Sequence, residues 1–278
     1  MFKVRCFLLF LLATGLFGQA QSDLDTQRLY KISQREQRIY QQLETNPDFY
    51  TAEDLERKFS EITLAYSNYL SENPDDVEAL ILYGKLLRQL GENDRAFQVF
   101  LKADELDPTI AVVKQQIGNH LVETEKGKAA LMFYLNAIQL DPDVPEYNYA
   151  LGEILYIFQE EFLRDQLFTR DTLDREMLKA FRAAARLAPD NFDMQMRLGE
   201  SYYDLATPDW KSALLHWEKL RKATPGYNQL RCQILDLHRA RVLAKLGRKE
   251  EAYALSSGIE QPIDLPNGTF IKFKIIQR

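Results

Sequence analysis

The fold is decided by a helix ending that returns at a fixed interval. Residues 102–108 read KADELDP and residues 136–142 read NAIQLDP, so Pro108 and Pro142 stand 34 residues apart. At the same distance before Pro108 lies Pro74, within SENPDD at residues 71–76. Proline cannot continue a helix, and it restricts the conformation of the residue before it. The three prolines therefore predict units of constant length, each closed by the end of a helix.

Small and aromatic residues recur in phase with these prolines. They are Gly84, Leu87, Ala96, Phe100 and Ala103 in the first interval, and Gly118, Leu121, Ala130, Tyr134 and Ala137 in the second. Spacings of three and four place residues on one face of a helix. The first interval therefore predicts two helices, from about Val77 to Leu90 and from about Asp94 to Leu106. We expect the small residues to let helices approach closely, and Phe100 and Tyr134 to fill the space between successive units.

This pattern resembles the tetratricopeptide repeat, a family of helix-turn-helix units of 34 residues that stack into a right-handed superhelix. The resemblance implies an all-α, right-handed superhelical solenoid whose repeat array spans residues 74–258. Its units are expected near 77–110, 111–144, 145–191, 192–227 and 228–258, with an insertion in the third and a degenerate fifth. Residues 21–73 are expected to form helices that cap this array.

The first twenty residues are predicted to be a separate targeting segment. Lys3 and Arg5 precede the apolar run CFLLFLLATGLFG, and Gly18 and Ala20 stand before Gln21. This layout is typical of a secretory signal peptide, with an uncleaved N-terminal anchor as the alternative. Cys6 precedes the apolar run, so it does not have the position of a lipid-attachment cysteine. We therefore expect an exported protein of the periplasm or cell envelope.

After cleavage, Cys232 would be the single cysteine, which rules out an internal disulfide. We expect Cys232 to be a small buried filler in a helical stretch. Packing would then have to supply the stability of the chain.

Composition and motifs argue against catalysis and nucleic-acid binding. The formal charge is −6 and no basic block occurs, so the electrostatic footprint of a nucleic-acid binder is missing. His120, His216 and His238 do not have the spacing of metal ligands on one helix face. The sequence also has no Gly-rich phosphate loop, serine elbow or Cys-x-x-Cys. We therefore predict a protein that is not an enzyme and needs no cofactor or metal.

In the resembled family, the first helices of the units line a concave groove that takes an extended peptide or a helix. The resemblance implies that residues at helical spacing from each repeat glycine face this groove. They are Ile81, Lys85, Arg88, Gln115, Asn119, Tyr149, Glu153, Tyr156, Met196, Glu200 and Tyr203. Tyrosine and methionine give adaptable apolar contacts, and we expect Tyr149, Tyr156 and Tyr203 to anchor the partner. Lys85, Arg88, Glu153 and Glu200 would set its orientation, and the carboxylates would favour a basic partner at the tyrosine-rich end. The predicted function is a non-catalytic scaffold or adaptor that binds another protein.

An alternative function is that of a structural subunit of an envelope complex, with the groove unused. It would be held through the third-unit insertion, residues 156–177, and the C-terminal tail, residues 259–278. The insertion is interpreted either as a prolongation of both helices or as a projecting apolar docking side, with Asp171 or Thr172 capping the helix that follows. In the tail, Asn267-Gly268 predicts a hairpin turn before a strand that folds back or pairs with a partner.

Overall fold

The computed structural model describes residues 22–226, 228–257, 263–264 and 270–271. These residues form thirteen α-helices: α1 (Ser22–Thr45), α2 (Ala52–Glu72), α3 (Val77–Gln89), α4 (Asn93–Leu106), α5 (Ala111–Glu123), α6 (Gly127–Leu140), α7 (Pro145–Ile157), α8 (Gln159–Arg164), α9 (Arg170–Leu187), α10 (Phe192–Asp204), α11 (Trp210–Ala223), α12 (Gln229–Lys245) and α13 (Lys249–Ser256). Two short strands follow, β1 (Ile263–Asp264) and β2 (Phe270–Ile271). The described residues divide into two compact units, the first ending at Lys126 and the second beginning at Gly127.

The first unit contains α1 to α5, and each of these helices packs against the next one along the chain. The predicted first pair is confirmed, because α3 and α4 begin and end within one residue of the expected bounds. Its fully buried side chains include Tyr66 and Tyr69 of α2, Leu86 and Leu87 of α3, and Phe100 of α4. Apolar burial of this kind supplies most of the stability of short helices.

The second unit contains α6 to α13. The helices α7 and α9 pack against each other, and α9 packs in turn on α10. Further along, α11 packs on α12, and α12 on α13. Trp217 and Phe181 are fully buried in this unit. The all-α class built from helix pairs is therefore confirmed.

Three of the repeat glycines, on α3, α7 and α10, pack against aromatic rings of their own helix pairs. A Cβ added to Gly84 would stand 2.8 Å from Cε1 of Phe100, and one added to Gly152 would stand 2.6 Å from Cε1 of Phe181. Gly199 lies against the Trp217 ring in the same way. The expectation that Phe100 lies between successive units misses this contact within its own pair. Only the bare backbone of glycine leaves room for the ring.

The insertion in the third unit differs from both of its interpretations. The helix α7 ends at Ile157, a separate short helix α8 follows, and only α9 is prolonged, to 18 residues. Phe162 of α8 is fully buried, and the Phe158 ring lies against Gly127 of α6. The apolar side of the insertion is therefore mostly folded into the second unit rather than projecting from it.

The cap of α9 also differs from the prediction. Thr169, not Asp171 or Thr172, caps the helix, because its hydroxyl oxygen accepts from the backbone N–H of Thr172 at 3.3 Å. Asp171 and Thr172 lie within the first turn instead. The cap thus lies two or three residues earlier than predicted, because Thr169 has the extended backbone that an N-cap requires, whereas Asp171 and Thr172 are already helical.

The tail contributes one antiparallel strand pair, in which Ile263 is opposite Ile271 and Asp264 opposite Phe270. The predicted turn at Asn267-Gly268 lies outside the described residues, as does the predicted signal peptide. Across the helices that the structure describes, none is both long enough and apolar enough to cross a membrane.

Candidate partner-binding surfaces

The predicted groove residues all lie on the first helices of their pairs. Ile81, Lys85 and Arg88 are on α3 and Gln115 and Asn119 on α5; we call these five the α3–α5 surface. Tyr149, Glu153 and Tyr156 are on α7 and Met196, Glu200 and Tyr203 on α10; we call these six the α7–α10 surface. All eleven side chains are partly exposed, and Tyr156, at 38%, is the most accessible of the three tyrosines.

The cations of the α3–α5 surface have acidic neighbours in their own unit. Arg88 donates two hydrogen bonds of 2.8 Å to the carboxylate oxygens of Glu123, a bidentate pair that joins α3 to α5. Burial lowers the pKa of Lys85, which faces Glu36 of α1. Burial also raises the pKa of Glu36 to about 7, and the Tyr66 hydroxyl donates to this carboxyl group at 2.9 Å. The contacts of both cations are therefore with other helices of their own unit, so these side chains serve helix packing rather than partner binding.

A guanidinium that the sequence analysis missed stands at the centre of the α7–α10 surface. Arg197 of α10 pairs through Nε with Oε1 of Glu153 at 2.5 Å, and through Nη1 with Oδ2 of Asp204 at 2.9 Å. Its guanidinium carbon lies 4.8 Å from the Tyr156 ring centroid and 4.3 Å from that of Phe181. Arg197 thus holds the carboxylates and the aromatic rings together, through ion pairs and cation–π contacts.

The sequence did contain a signal for Arg197. It stands two residues before the repeat glycine Gly199, where the earlier units have Leu82, Gln116 and Ala150. A charge at this one offset breaks the pattern of the repeat. Its pairing partners, however, lie on two different helices and follow only from the packed structure.

This pairing bears on the role expected of Glu153. Its carboxylate already pairs with Arg197, which it shares with Asp204, so Glu153 is less available to a basic partner than an unpaired carboxylate. Glu200 makes no ion pair with any described residue, and burial raises its pKa, although nearby Arg197 acts in the opposite direction. Glu200 is therefore the carboxylate of this surface best placed to meet a partner.

Tyr149 packs edge-on against Phe181, with ring centroids 5.9 Å apart.

Tyr203, which was expected to anchor a partner, is instead held by contacts within its own unit. Its hydroxyl lies 3.1 Å from Nδ1 of His238, and its ring stacks on that of Trp217 at 6.3 Å. The guanidinium of Arg241 lies 3.9 Å from the Tyr203 ring centroid. Burial raises the pKa of Tyr203 and lowers that of His238 to about 4, so both are neutral near pH 7. Tyr203 serves the packing of α10, α11 and α12.

The remaining reactive residue types are placed as packing residues. His120 stacks on Phe97 with ring centroids 4.0 Å apart, and Nε2 of His216 lies 2.8 Å from the carbonyl oxygen of Gln195. Cys232 is buried, as expected. In the part of the chain that the structure describes, no three His, Cys, Asp or Glu side chains are grouped so that they could hold a metal ion.

Comparisons with known proteins agree with the fold. Residues 64–109 match the family model of the tetratricopeptide repeat. The DnaJ homolog subfamily C member 7 homolog of Schizosaccharomyces pombe is 36% identical over 86 residues. That match covers 27% of this chain and 18% of that protein, so the chain spans less than a fifth of this curated relative.

Solved structures extend the likeness over more of the chain. The protein YrrB, described as a TPR protein with an unusual peptide-binding site, has a TM-score of 0.55 at 20% identity, covering 69% of this chain and 88% of its own. PilW, described as a widely conserved type IV pilus biogenesis factor, also has a TM-score of 0.55, at 12% identity, covering 86% of this chain and 93% of its own. The family match over residues 64–109, the helix pairs and the glycine–aromatic contacts agree, and the chain has the fold of tetratricopeptide-repeat proteins.

Proposed function

We propose that the protein is a non-catalytic scaffold or adaptor of the cell envelope that binds a segment of another protein on its α7–α10 surface. The observation that carries the proposal is the setting of Tyr156. Tyr156 is 38% exposed, and the Arg197 guanidinium lies 4.8 Å from the centroid of its ring. A large apolar ring that is presented to solvent and already ordered loses little entropy on binding.

The chemistry of the surface supports a peptide or helix as the ligand. Met196 of α10 and Tyr149 of α7 add side chains that adapt to different apolar partners. Glu200 adds a carboxylate with no ion pair among the described residues, which favours a basic residue in the partner. This preference for a basic residue is weaker than the sequence suggested, because Glu153 already pairs with Arg197.

The named relatives support the same kind of role. YrrB, which shares the fold, is described as having a peptide-binding site, and PilW is described as a pilus biogenesis factor. Together with the signal peptide expected at residues 1–20, PilW supports a place in the envelope. N-terminal sequencing of the protein recovered from fractionated cells tests this location, and we expect a mature chain that begins at Gln21.

Capture of a partner from envelope extract tests the binding surface. We expect Tyr156→Ala to lose the captured partner, because it removes the ring but leaves the Arg197 ion pairs with Glu153 and Asp204 in place. The matched control is Tyr253→Ala on α13, whose ring is 64% exposed. Circular dichroism establishes that both variants stay folded. Equal capture by Tyr156→Ala and the wild type would refute the proposal.

The structural-subunit alternative keeps one observation in its favour. Ile157 and Leu167 of the insertion are 55% and 49% exposed, although Phe162 between them is buried. A double substitution of Ile157 and Leu167 by serine should release the protein from an envelope complex if this function is correct. The same substitution should leave binding on the α7–α10 surface unchanged.

A further inference from the structure

The helices α1 and α2, with Tyr50 of the segment between them, form an open pocket that the groove prediction does not include. It has a volume of about 210 Å³ and lies wholly in the first unit. Its walls are formed by Arg35, Arg38, Ile39, Tyr50, Lys58, Glu61 and Ile62. Three of these seven residues are cationic and one is acidic, in a chain whose formal charge is −6.

The positive charges of the pocket are poorly compensated. Arg35 pairs with Glu61 at 3.4 Å, and Glu61 is shared with Arg57, also at 3.4 Å. Neither Arg38 nor Lys58 makes an ion pair with any residue that the structure describes. Arg38 has a long hydrogen bond of 3.5 Å to the amide oxygen of Gln34, and the Lys58 ammonium lies 4.9 Å from the Tyr50 ring centroid. Two cations that face one pocket without a counter-ion favour an anionic ligand.

The floor of the pocket narrows the choice of anion. Ile39 and Ile62 are 6% and 1% exposed, and together with the Tyr50 ring they give the pocket an apolar base beneath its charged rim. A glutamate side chain matches both features, since its methylene groups contact an apolar base and its carboxylate reaches a guanidinium. Inorganic phosphate has the charge but no apolar part. The planar guanidinium of an arginine can also donate two parallel hydrogen bonds to a carboxylate.

We propose that this pocket, lined by Arg35, Arg38 and Lys58, binds a glutamate side chain of an acidic segment in a partner protein. The site is separate from the α7–α10 surface and does not depend on the function proposed for that surface. The pocket would give the chain a second binding site, which prefers an acidic segment, whereas the α7–α10 surface prefers a basic one.

The test is the binding of a fluorescein-labelled hexaglutamate peptide to the full chain, followed by anisotropy at low salt. We expect saturable binding that weakens about tenfold in Arg38→Gln, the loss typical of one charge-assisted hydrogen bond. Lys58→Gln should weaken it similarly. Glu61→Gln should strengthen binding, because it removes the carboxylate of the pocket and releases Arg35. A gain of affinity is not the result of a damaged fold.

The control variant is Arg175→Gln on α9, which changes net charge equally at an exposed position in the second unit. Its binding should match that of the wild type. The proposal is overturned if Arg38→Gln binds as the control does, if Glu61→Gln weakens binding, or if the peptide does not bind. It is also overturned if inorganic phosphate binds through the same residues while unlabelled hexaglutamate does not compete.

Discussion

At the scale of single residues, the contact between glycine and an aromatic ring is the most demanding feature of the repeat. In Gly84→Ala, the new methyl carbon would stand 2.8 Å from Cε1 of Phe100, which is 1% exposed and has no room to move away. We expect the overpacking to lower the free energy of unfolding by about 1–3 kcal/mol, partly offset by the better helix propensity of alanine. Urea denaturation measures the change.

The matched control for this substitution is Gly226→Ala. No atom lies within 4 Å of the Cβ that it adds, and its backbone is outside the left-handed region. Its unfolding free energy should stay within about 0.5 kcal/mol of the wild-type value. If Gly84→Ala is as stable as this control, the packing of the Phe100 ring does not require glycine at position 84.

In the part of the chain that the structure describes, four helices are followed by a residue in the left-handed conformation, and two of these residues are not glycine. Gly91 and Gly247 have φ of 79° and 78°, whereas Glu125 and Gln166 have φ of 58° and 57°. A side chain in this conformation costs about 1 kcal/mol or more, against a smaller entropic cost for glycine. We therefore expect Gln166→Gly to leave stability unchanged or to raise it by up to about 1 kcal/mol.

Gln233→Gly is the comparison for this prediction, since it makes the same exchange at an exposed position inside α12. There glycine should lower stability by about 1 kcal/mol. Thermal and urea unfolding should therefore show a loss of stability in Gln233→Gly that is absent in Gln166→Gly. An equal loss in both would mean that Gln166 is not strained.

At the scale of elements, the packing of α1 should respond to pH through Glu36. Its pKa is raised to about 7 by burial, above the usual value near 4.5, despite the Tyr66 hydroxyl of α2 and Lys85 of α3. The folded chain therefore holds this proton more tightly than the unfolded chain does. The stabilisation is complete below about pH 4.5 and is lost as pH rises through about 7.

Glu36→Gln removes this dependence, because the amide does not titrate. The urea midpoint of the variant, relative to that of the wild type, should be higher at pH 8 than at pH 5. Both proteins are measured at the two pH values in the same buffer series. Parallel midpoints across this range would show that Glu36 is not protonated near neutrality.

The elements could be predicted where a residue's environment repeats, and not where it is unique. Pro108 and Gly84 have counterparts one period away, so the bounds of α3 and α4 followed from the sequence alone. The break at Phe158 and the helix α8 occur once, and they depend on Phe162 finding a buried place in the second unit. Local spacing of apolar residues is the same for a prolonged helix and for two short ones, so it could not decide between them.

At the scale of the whole molecule, the sequence predicted which helices carry the groove residues, but it did not predict the side chains that these residues contact. Helical spacing placed Tyr156 and Glu153 correctly on a partly exposed face of α7. Their contacts with Arg197 join α7 to α10, and Glu153 and Arg197 are 44 residues apart in the sequence. No local pattern specifies such a pairing. The cationic pocket was hidden for the same reason, because Arg38 and Lys58 meet only when α1 packs on α2.

Repeat proteins contact mainly their nearest neighbours in the chain, so their stability is a sum of local terms rather than a single global one. The helix α13 buries two residues, Ala252 and Ser256, whereas α9 buries seven. We expect hydrogen exchange under native conditions to be fastest in the helix with the smaller buried set. The amides of α13 should exchange at least about tenfold faster than those of α9, a ratio that corresponds to about 1.4 kcal/mol of opening free energy. Mass spectrometry of peptic peptides resolves the two helices, and equal protection in both would mean that the second unit opens as one cooperative body.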